Sequence, residues 1–447
     1  MYRLLGIVIC MQKVLRNVSP HCIGTLVTAA LVLFSCEPIA FAQQPISTPI
    51  VLHAARLLQV DTGKIIQPGE ILVQGERIMT VGTSVEHPQG ARVIDLGDTM
   101  LLPGLIDVHI HLFLHPGAED LQTVMESVPR RTIIAAQAAK ADLMAGFTAE
   151  RDMGSEGAGS ADSAIRDAIN QGIIPGPRLR VSGNAIDILG GHEDANKFNP
   201  MQHVLSNADY ANTADELLAV MREQHKQGSD LAKIYETGHD EMIDGVLRAP
   251  FQYTEAQLAA AVAEGKRLGA SVGVHAMGEP GALYAAQAGV ATIDHATQLS
   301  DETMRLMREK HIPSVPTFAI FDYFAHHRES QDQAATQAAM LDYKISEFKK
   351  QIAAGIPFAV GSDVGPFPHG TQAVEMELMV RNGMKPLAVL QADMLEGARV
   401  LGWQEQIGEL KTGYYADIVA VPGNPLEDIT TLQHVRFVMK NGEVVRQ

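Results

Sequence analysis

His109 and His111 stand two residues apart in the stretch Leu105-Ile106-Asp107-Val108-His109-Ile110-His111. On an extended strand, residues i and i+2 point to the same side, so these two imidazoles can chelate one metal ion. Asp107 shares their face; Ile106, Val108 and Ile110 share the other and suit packing against helices. Lys233 lies in the apolar run Leu231-Ala232-Lys233-Ile234-Tyr235, with Tyr235 on its own face. A buried ammonium is costly and repels metal cations. Reaction with carbon dioxide would turn the amine into a carbamate, whose two oxygens can bridge two metals. His275 closes Val272-Gly273-Val274-His275, His295 closes Thr292-Ile293-Asp294-His295, and Asp363 closes Phe358-Ala359-Val360-Gly361-Ser362-Asp363. Taken singly, each reads better as a hydrogen-bonded core histidine or a helix-capping aspartate than as a metal ligand. Six ligand-type residues, each on an apolar run with the same parity, point to one shared metal site.

These runs belong to a regular series. Short apolar strands centre near Val108, Thr148, Arg180, Ile234, Val274, Ile293, Val315 and Val360, with alanine-rich helical patterns such as 132–145, 214–227, 255–268 and 334–354 between them. Strand–helix alternation predicts an α/β fold with a parallel sheet, and eight units predict a closed TIM (β/α)8 barrel. Such a barrel carries its chemistry at the C-terminal ends of the strands, where the ligand-type residues stand. Both chain ends are β-rich. Segment 70–81 reads as a hairpin around Gly75, 416–421 as a strand, and 435–446 as a hairpin around Asn441-Gly442. The expected organisation is a barrel at 104–405 and a small β-sandwich domain built from 43–103 and 406–447.

His109-x-His111 on the first strand, Lys233 on the fourth, His275 on the fifth, His295 on the sixth and Asp363 on the eighth resemble the amidohydrolase superfamily. The entry Met100-Leu101-Leu102-Pro103-Gly104-Leu105-Ile106-Asp107 and the return Gly408-Glu409-Leu410 to Ala416-Asp417-Ile418-Val419 are similar to that family's joins between barrel and sheet domain. Gly190-Gly191-His192 and Pro368-His369-Gly370 resemble its imidazolonepropionase-like and Xaa-Pro-dipeptidase-like branch, which includes bacterial ochratoxin-hydrolysing amidohydrolases. The resemblance implies two divalent metal ions, with zinc expected from the ligand types, although manganese and cobalt also suit them. It implies that His109, His111 and Asp363 hold one ion, that His275 and His295 hold the other, and that carbamylated Lys233 bridges them. Such a pair acidifies a shared water, and Asp363 would be the catalytic proton carrier. His192, in the Gly-Gly turn after the third strand, is expected to touch the substrate or its oxyanion. Tyr235 and His239, on and after the fourth strand, are further expected substrate contacts. The implied substrate is an amide releasing an amino acid with a free carboxylate: a dipeptide, an N-acyl amino acid or an ochratoxin-like amide. A homo-oligomer is also implied. The rival within the superfamily is a cyclic amidase or deaminase. Mononuclear deaminases of the group carry glutamate three residues after the fifth-strand histidine, and here that residue is Gly278. A non-catalytic metal-binding protein would have no need of Asp363.

The chain has 447 residues, 35 basic and 52 acidic, for a formal net charge of −17. That charge argues against a nucleic-acid partner, which needs a basic face. Residues 1–42 read as an export signal: Lys13 and Arg16, an apolar run at 23–34, and the small-x-small site Ala40-Phe41-Ala42. The run is short for a bilayer span, and no later segment is apolar enough to be one. Secreted or periplasmic export is expected. A lipoprotein signal ending at Cys36 is the lesser reading, since Phe34 fits it poorly. All three cysteines, Cys10, Cys22 and Cys36, fall in this segment, so no thiolate metal site is expected beyond it.

Overall fold

The computed structural model describes residues 48–447 except 118, 195–197, 200 and 328–330. The expected export signal, with its three cysteines, lies outside the described residues.

Turn chemistry organises the two chain ends. Gly75 takes φ 58° between strands Gly69–Gln74 and Arg77–Gly82, which pair antiparallel as the hairpin expected there. Asn441 and Gly442 take φ 50° and 74° between Phe437–Lys440 and Glu443–Arg446. The first hairpin joins Ile50–Ala54 and Arg92–Asp95 in a four-stranded sheet. The second joins Ile418–Pro422, Thr99–Pro103, Arg56–Gln59 and Lys64–Ile66 in a six-stranded sheet. Ile418–Pro422 runs antiparallel to Thr99–Pro103, so residues more than 300 positions apart share one ladder. Leu52, Ile71 and Ile78 of one sheet and Leu101, Ile418 and Phe437 of the other lie in one buried apolar cluster.

Between the ends, parallel strands alternate with helices. They are β1 (Leu105–Ile110), β2 (Phe147–Asp152), β3 (Arg178–Val181), β4 (Leu231–Tyr235), β5 (Ser271–Ala276), β6 (Thr292–His295) and β7 (Ser314–Val315). β1 to β3 form one sheet; β4 to β7 form another with Ala185–Asp187 and Ala208–Tyr210. Backbone bonds link the two sets at both edges. Asp230 N donates to Val181 O at the entry to β4. Segment 358–364 runs between β7 and β1: Ala359 N donates to Ser314 O, Val108 N to Val360 O, and Asp363 N to His109 O. Seven predicted strand centres fall in strands, whereas Val360 lies in this segment, held by isolated bridges rather than a regular ladder. Thr213 and Thr254 start their helices with capping boxes to Glu216 and Gln257, satisfying backbone donors that a helix start leaves free.

β1 is not a regular strand. Asp107 pairs with Glu150 and Ile110 with Asp152, so three steps along β1 oppose two along β2. The extra residue breaks the two-residue side-chain period. The Asp107 carboxylate accepts from His109 N at 3.0 Å, from Ser362 N at 3.1 Å and from Ser362 Oγ at 2.5 Å.

Candidate active site

The strand ends converge on a cavity of about 300 Å³, and all nine residues expected at the site line it: His109, His111, His192, Lys233, Tyr235, His239, His275, His295 and Asp363. β1 supplies His109, and His111 follows it, their Nε2 atoms 3.3 Å apart. Lys233 Nζ, from β4, lies 3.4 Å from His109 Nε2. Asp363 Oδ1 is 3.2 Å from His111 Nε2 and 3.6 Å from His109 Nε2. Its Oδ2 is 3.9 Å from His295 Nδ1. The rings of His275 and His295, at the ends of β5 and β6, have centroids 4.3 Å apart. Gly361 makes the β1 approach possible: a Cβ there would come within 2.7 Å of His109 Cβ.

Burial sets the protonation states. It pushes the His275 and His295 imidazoles well below their usual range, and burial together with Lys233 brings His109 down to about 4. Burial also lowers Lys233. It would raise Asp363, but His109, His111 and Lys233 outweigh it and hold this carboxylate below the usual range. His109, His275 and His295 are thus neutral imidazoles beside an ionised carboxylate, the protonation states in which both groups bind metals. His111 goes the other way: burial would lower it, but Asp363 and Glu156 outweigh burial and raise it well above the usual range.

Whether these residues fit a cation can be judged from their donors. His275 Nε2 is buried and has no hydrogen-bond partner among the described residues, an orphan that a metal would satisfy. His109, His295 and Asp363 each offer a donor atom within 4.8 Å of the others. Imidazole and carboxylate donors suit zinc and its neighbours.

A supporting layer escaped sequence reading. Glu156 Oε1 sits 2.8 Å from His111 Nδ1. Asp294 Oδ2 sits 3.4 Å from His109 Nδ1 and is paired in turn with Arg151. Thr317 Oγ1 lies 2.8 Å from His295 Nδ1. His295, Thr317 and Asp363 all take left-handed φ, 67°, 54° and 62°, a conformation non-glycine residues rarely adopt and which clusters at functional sites. Asp294 had one available signal, an acidic residue inside an apolar strand. Glu156 and Thr317 lie in loops with no periodicity to flag them.

His192, Tyr235 and His239 form a stack at the cavity side. The His192 ring lies 4.9 Å from Tyr235 and 5.4 Å from His239, centroid to centroid, and 4.3 Å from His275. Glu193, the next residue, accepts from Asn207 Nδ2 at 3.2 Å.

A cavity lined by histidine, lysine and aspartate at the ends of parallel strands has the donor types that metal-assisted hydrolysis uses. Residues 100–445 match the amidohydrolase family, and the chain belongs to it. The ochratoxinase of Aspergillus niger is 26% identical over 450 residues, covering 92% of this chain and 89% of that protein. A Xaa-Pro dipeptidase solved with methionine in its active site matches with TM-score 0.81 at 29% identity, over 90% of this chain and 100% of that one. A prolidase complexed with N-methylphosphonate-L-proline matches with TM-score 0.80 at 26% identity, over 90% and 100%. The chain is thus a hydrolase acting on carbon–nitrogen bonds, from a family typically dependent on divalent metal. Among the described residues, no helix is long and apolar enough to cross a membrane.

Proposed function

We propose that this chain is an exported two-metal amidohydrolase that hydrolyses amides whose leaving amine is an amino acid with a free carboxylate. The observation that carries this reading is the buried His275 Nε2, without a hydrogen-bond partner among the described residues, in a cavity shared with His109, His111, Lys233, His295 and Asp363. The fold reading that accompanies it is a closed TIM barrel, sealed at 358–364, beside a sandwich of the two end sheets. Homo-oligomerisation, and export by cleavage after residue 42, belong to the same proposal.

His109, His111 and Asp363 would hold one divalent ion, His275 and His295 the other, with Lys233 between them as a carbamate. Zinc is the assignment the donors favour. When bound, such a pair supplies a polarised carbonyl and a water acidic enough to attack at neutral pH. The rest falls to the chain itself. Asp363, ionised, takes the attacking water's proton on a carboxylate oxygen and delivers it to the leaving amide nitrogen. Water adds to the carbonyl carbon, the carbon–nitrogen bond breaks, and a carboxylic acid and an amine result. His192, Tyr235 and His239 would hold the substrate carboxylate and so aim the scissile carbonyl; orientation of this sort is worth several kcal/mol.

A carboxamide lacks the negative charge and the second acceptor oxygen that such donors would bond. An N-acyl amino acid should therefore exceed its carboxamide in kcat/KM by about tenfold or more. Equal rates, or a preference for cyclic amides or nucleobase deamination, would move the enzyme to the cyclic-amidase or deaminase reading. Binding of metal with no turnover of any amide would leave a non-catalytic metal-binding protein.

A further inference from the structure

The cavity has two chemically different walls. His192, Tyr235 and His239 form the polar one. Ile320, Phe321 and Phe324 also line the cavity, from a single helix, Phe318–His326, with the rings of His275 and His295 standing in a row between His192 and Phe321. Positions 320, 321 and 324 fall on one helix face, since residues three and four apart are neighbours there. The proton path described above uses none of them.

This apolar wall is fixed in place before any ligand arrives. Its helix begins at Thr317, fully buried, whose hydroxyl meets His295 Nδ1 at 2.8 Å. Lys344, also buried, donates to His295 O at 2.6 Å and Thr297 Oγ1 at 3.1 Å. Its Nζ lies 4.5 Å from the centroid of the Phe321 ring. The same ring meets His295 edge-on, with centroids 6.4 Å apart. A ring already held in position loses little freedom when a ligand packs on it.

We infer that Ile320, Phe321 and Phe324 form the acyl-side subsite and select an uncharged, apolar or aromatic acyl group over one bearing a free ammonium. This rests on the reading that the leaving amino acid's carboxylate occupies the polar wall. With the carboxylate there and the scissile carbon beside Asp363, the acyl group extends toward the opposite wall. An ammonium against two phenylalanines and an isoleucine would lose its hydration without a hydrogen-bonding partner. Of the two other carboxylates lining the cavity, Glu193 is hydrogen-bonded on the polar side, by Asn207 and Tyr235, and the charge of Asp240 is met by the buried Lys344 ammonium. Gln337, also in the lining, is neutral.

The test compares N-benzoyl, N-acetyl and glycyl derivatives of one amino acid, together with the N-benzoyl amino acid carboxamide, on the metal-loaded enzyme. The subsite predicts a benzoyl kcat/KM above acetyl by about tenfold or more, with glycyl below acetyl. Phe321→Ala and Phe324→Ala should narrow the benzoyl-to-acetyl ratio chiefly through KM, and should weaken binding of benzoate by equilibrium titration. Phe321→Leu should retain part of the ratio. Equal benzoyl and acetyl values in the unaltered enzyme, or faster glycyl hydrolysis, overturn the subsite while leaving the carboxylate reading intact. A benzoyl carboxamide turned over as fast as the acid overturns the carboxylate reading itself.

Discussion

Glu156 Oε1 lies 2.8 Å from His111 Nδ1, while Asp363 Oδ1 lies 3.2 Å from Nε2 of the same ring. One imidazole is thus gripped at both nitrogens, by a carboxylate outside the site and a carboxylate within it. Glu156 is itself anchored, its carbonyl accepting from Arg131 and Thr123. Such an outer carboxylate fixes which ring nitrogen keeps the proton and which offers its lone pair. Glu156→Gln should weaken divalent-metal affinity by about 10- to 100-fold, read by competition with a chelator. Unchanged affinity would make the contact incidental.

Lys233→Ala should lose most activity and most bound metal. Short carboxylic acids should restore part of both by standing in for the carbamate oxygens. Near-normal turnover in the variant would make the lysine a bystander.

Asp363→Asn should lower kcat by about two to four powers of ten, the range for a positioned acid–base group. Binding of a product analogue should survive better than turnover. A variant with normal turnover removes Asp363 from proton transfer.

Metal content gives the plainest check. Elemental analysis of active enzyme should find two equivalents per chain, and chelation should abolish activity. One equivalent in fully active enzyme contradicts the paired site.

Glu236 predicts a pH dependence of stability. Burial raises its carboxyl from the ordinary 4.5 to about 9, against a backbone contact with Tyr253 that lowers it. The native state therefore keeps a proton that the unfolded chain has already lost. The contribution to stability is fully present below the unfolded value and is lost as pH rises through the native one. The melting midpoint should fall as pH rises between 4.5 and about 9, and Glu236→Gln should flatten that fall. An identical slope in the variant would assign the pH dependence to other groups.

Local spacing was enough to find the reactive residues, because side-chain direction on a strand depends only on parity. His109 with His111, and Lys233 with Tyr235, needed no knowledge of the rest of the chain, and all four line the cavity. Turn chemistry is equally local, so Asn441-Gly442 and Gly75 marked their hairpins. What only the tertiary structure decided depends on partners distant in sequence. The extra residue in β1 arises from its pairing with β2, and the Asp107 carboxylate meets Ser362, 255 residues away. Glu156 and Thr317 gain their meaning from imidazoles 45 and 22 residues away. The apolar wall at Ile320, Phe321 and Phe324 looks in sequence like any core-facing helix, and the cavity sets it apart. Periodicity records which way a side chain points, whereas long-range packing decides what it meets.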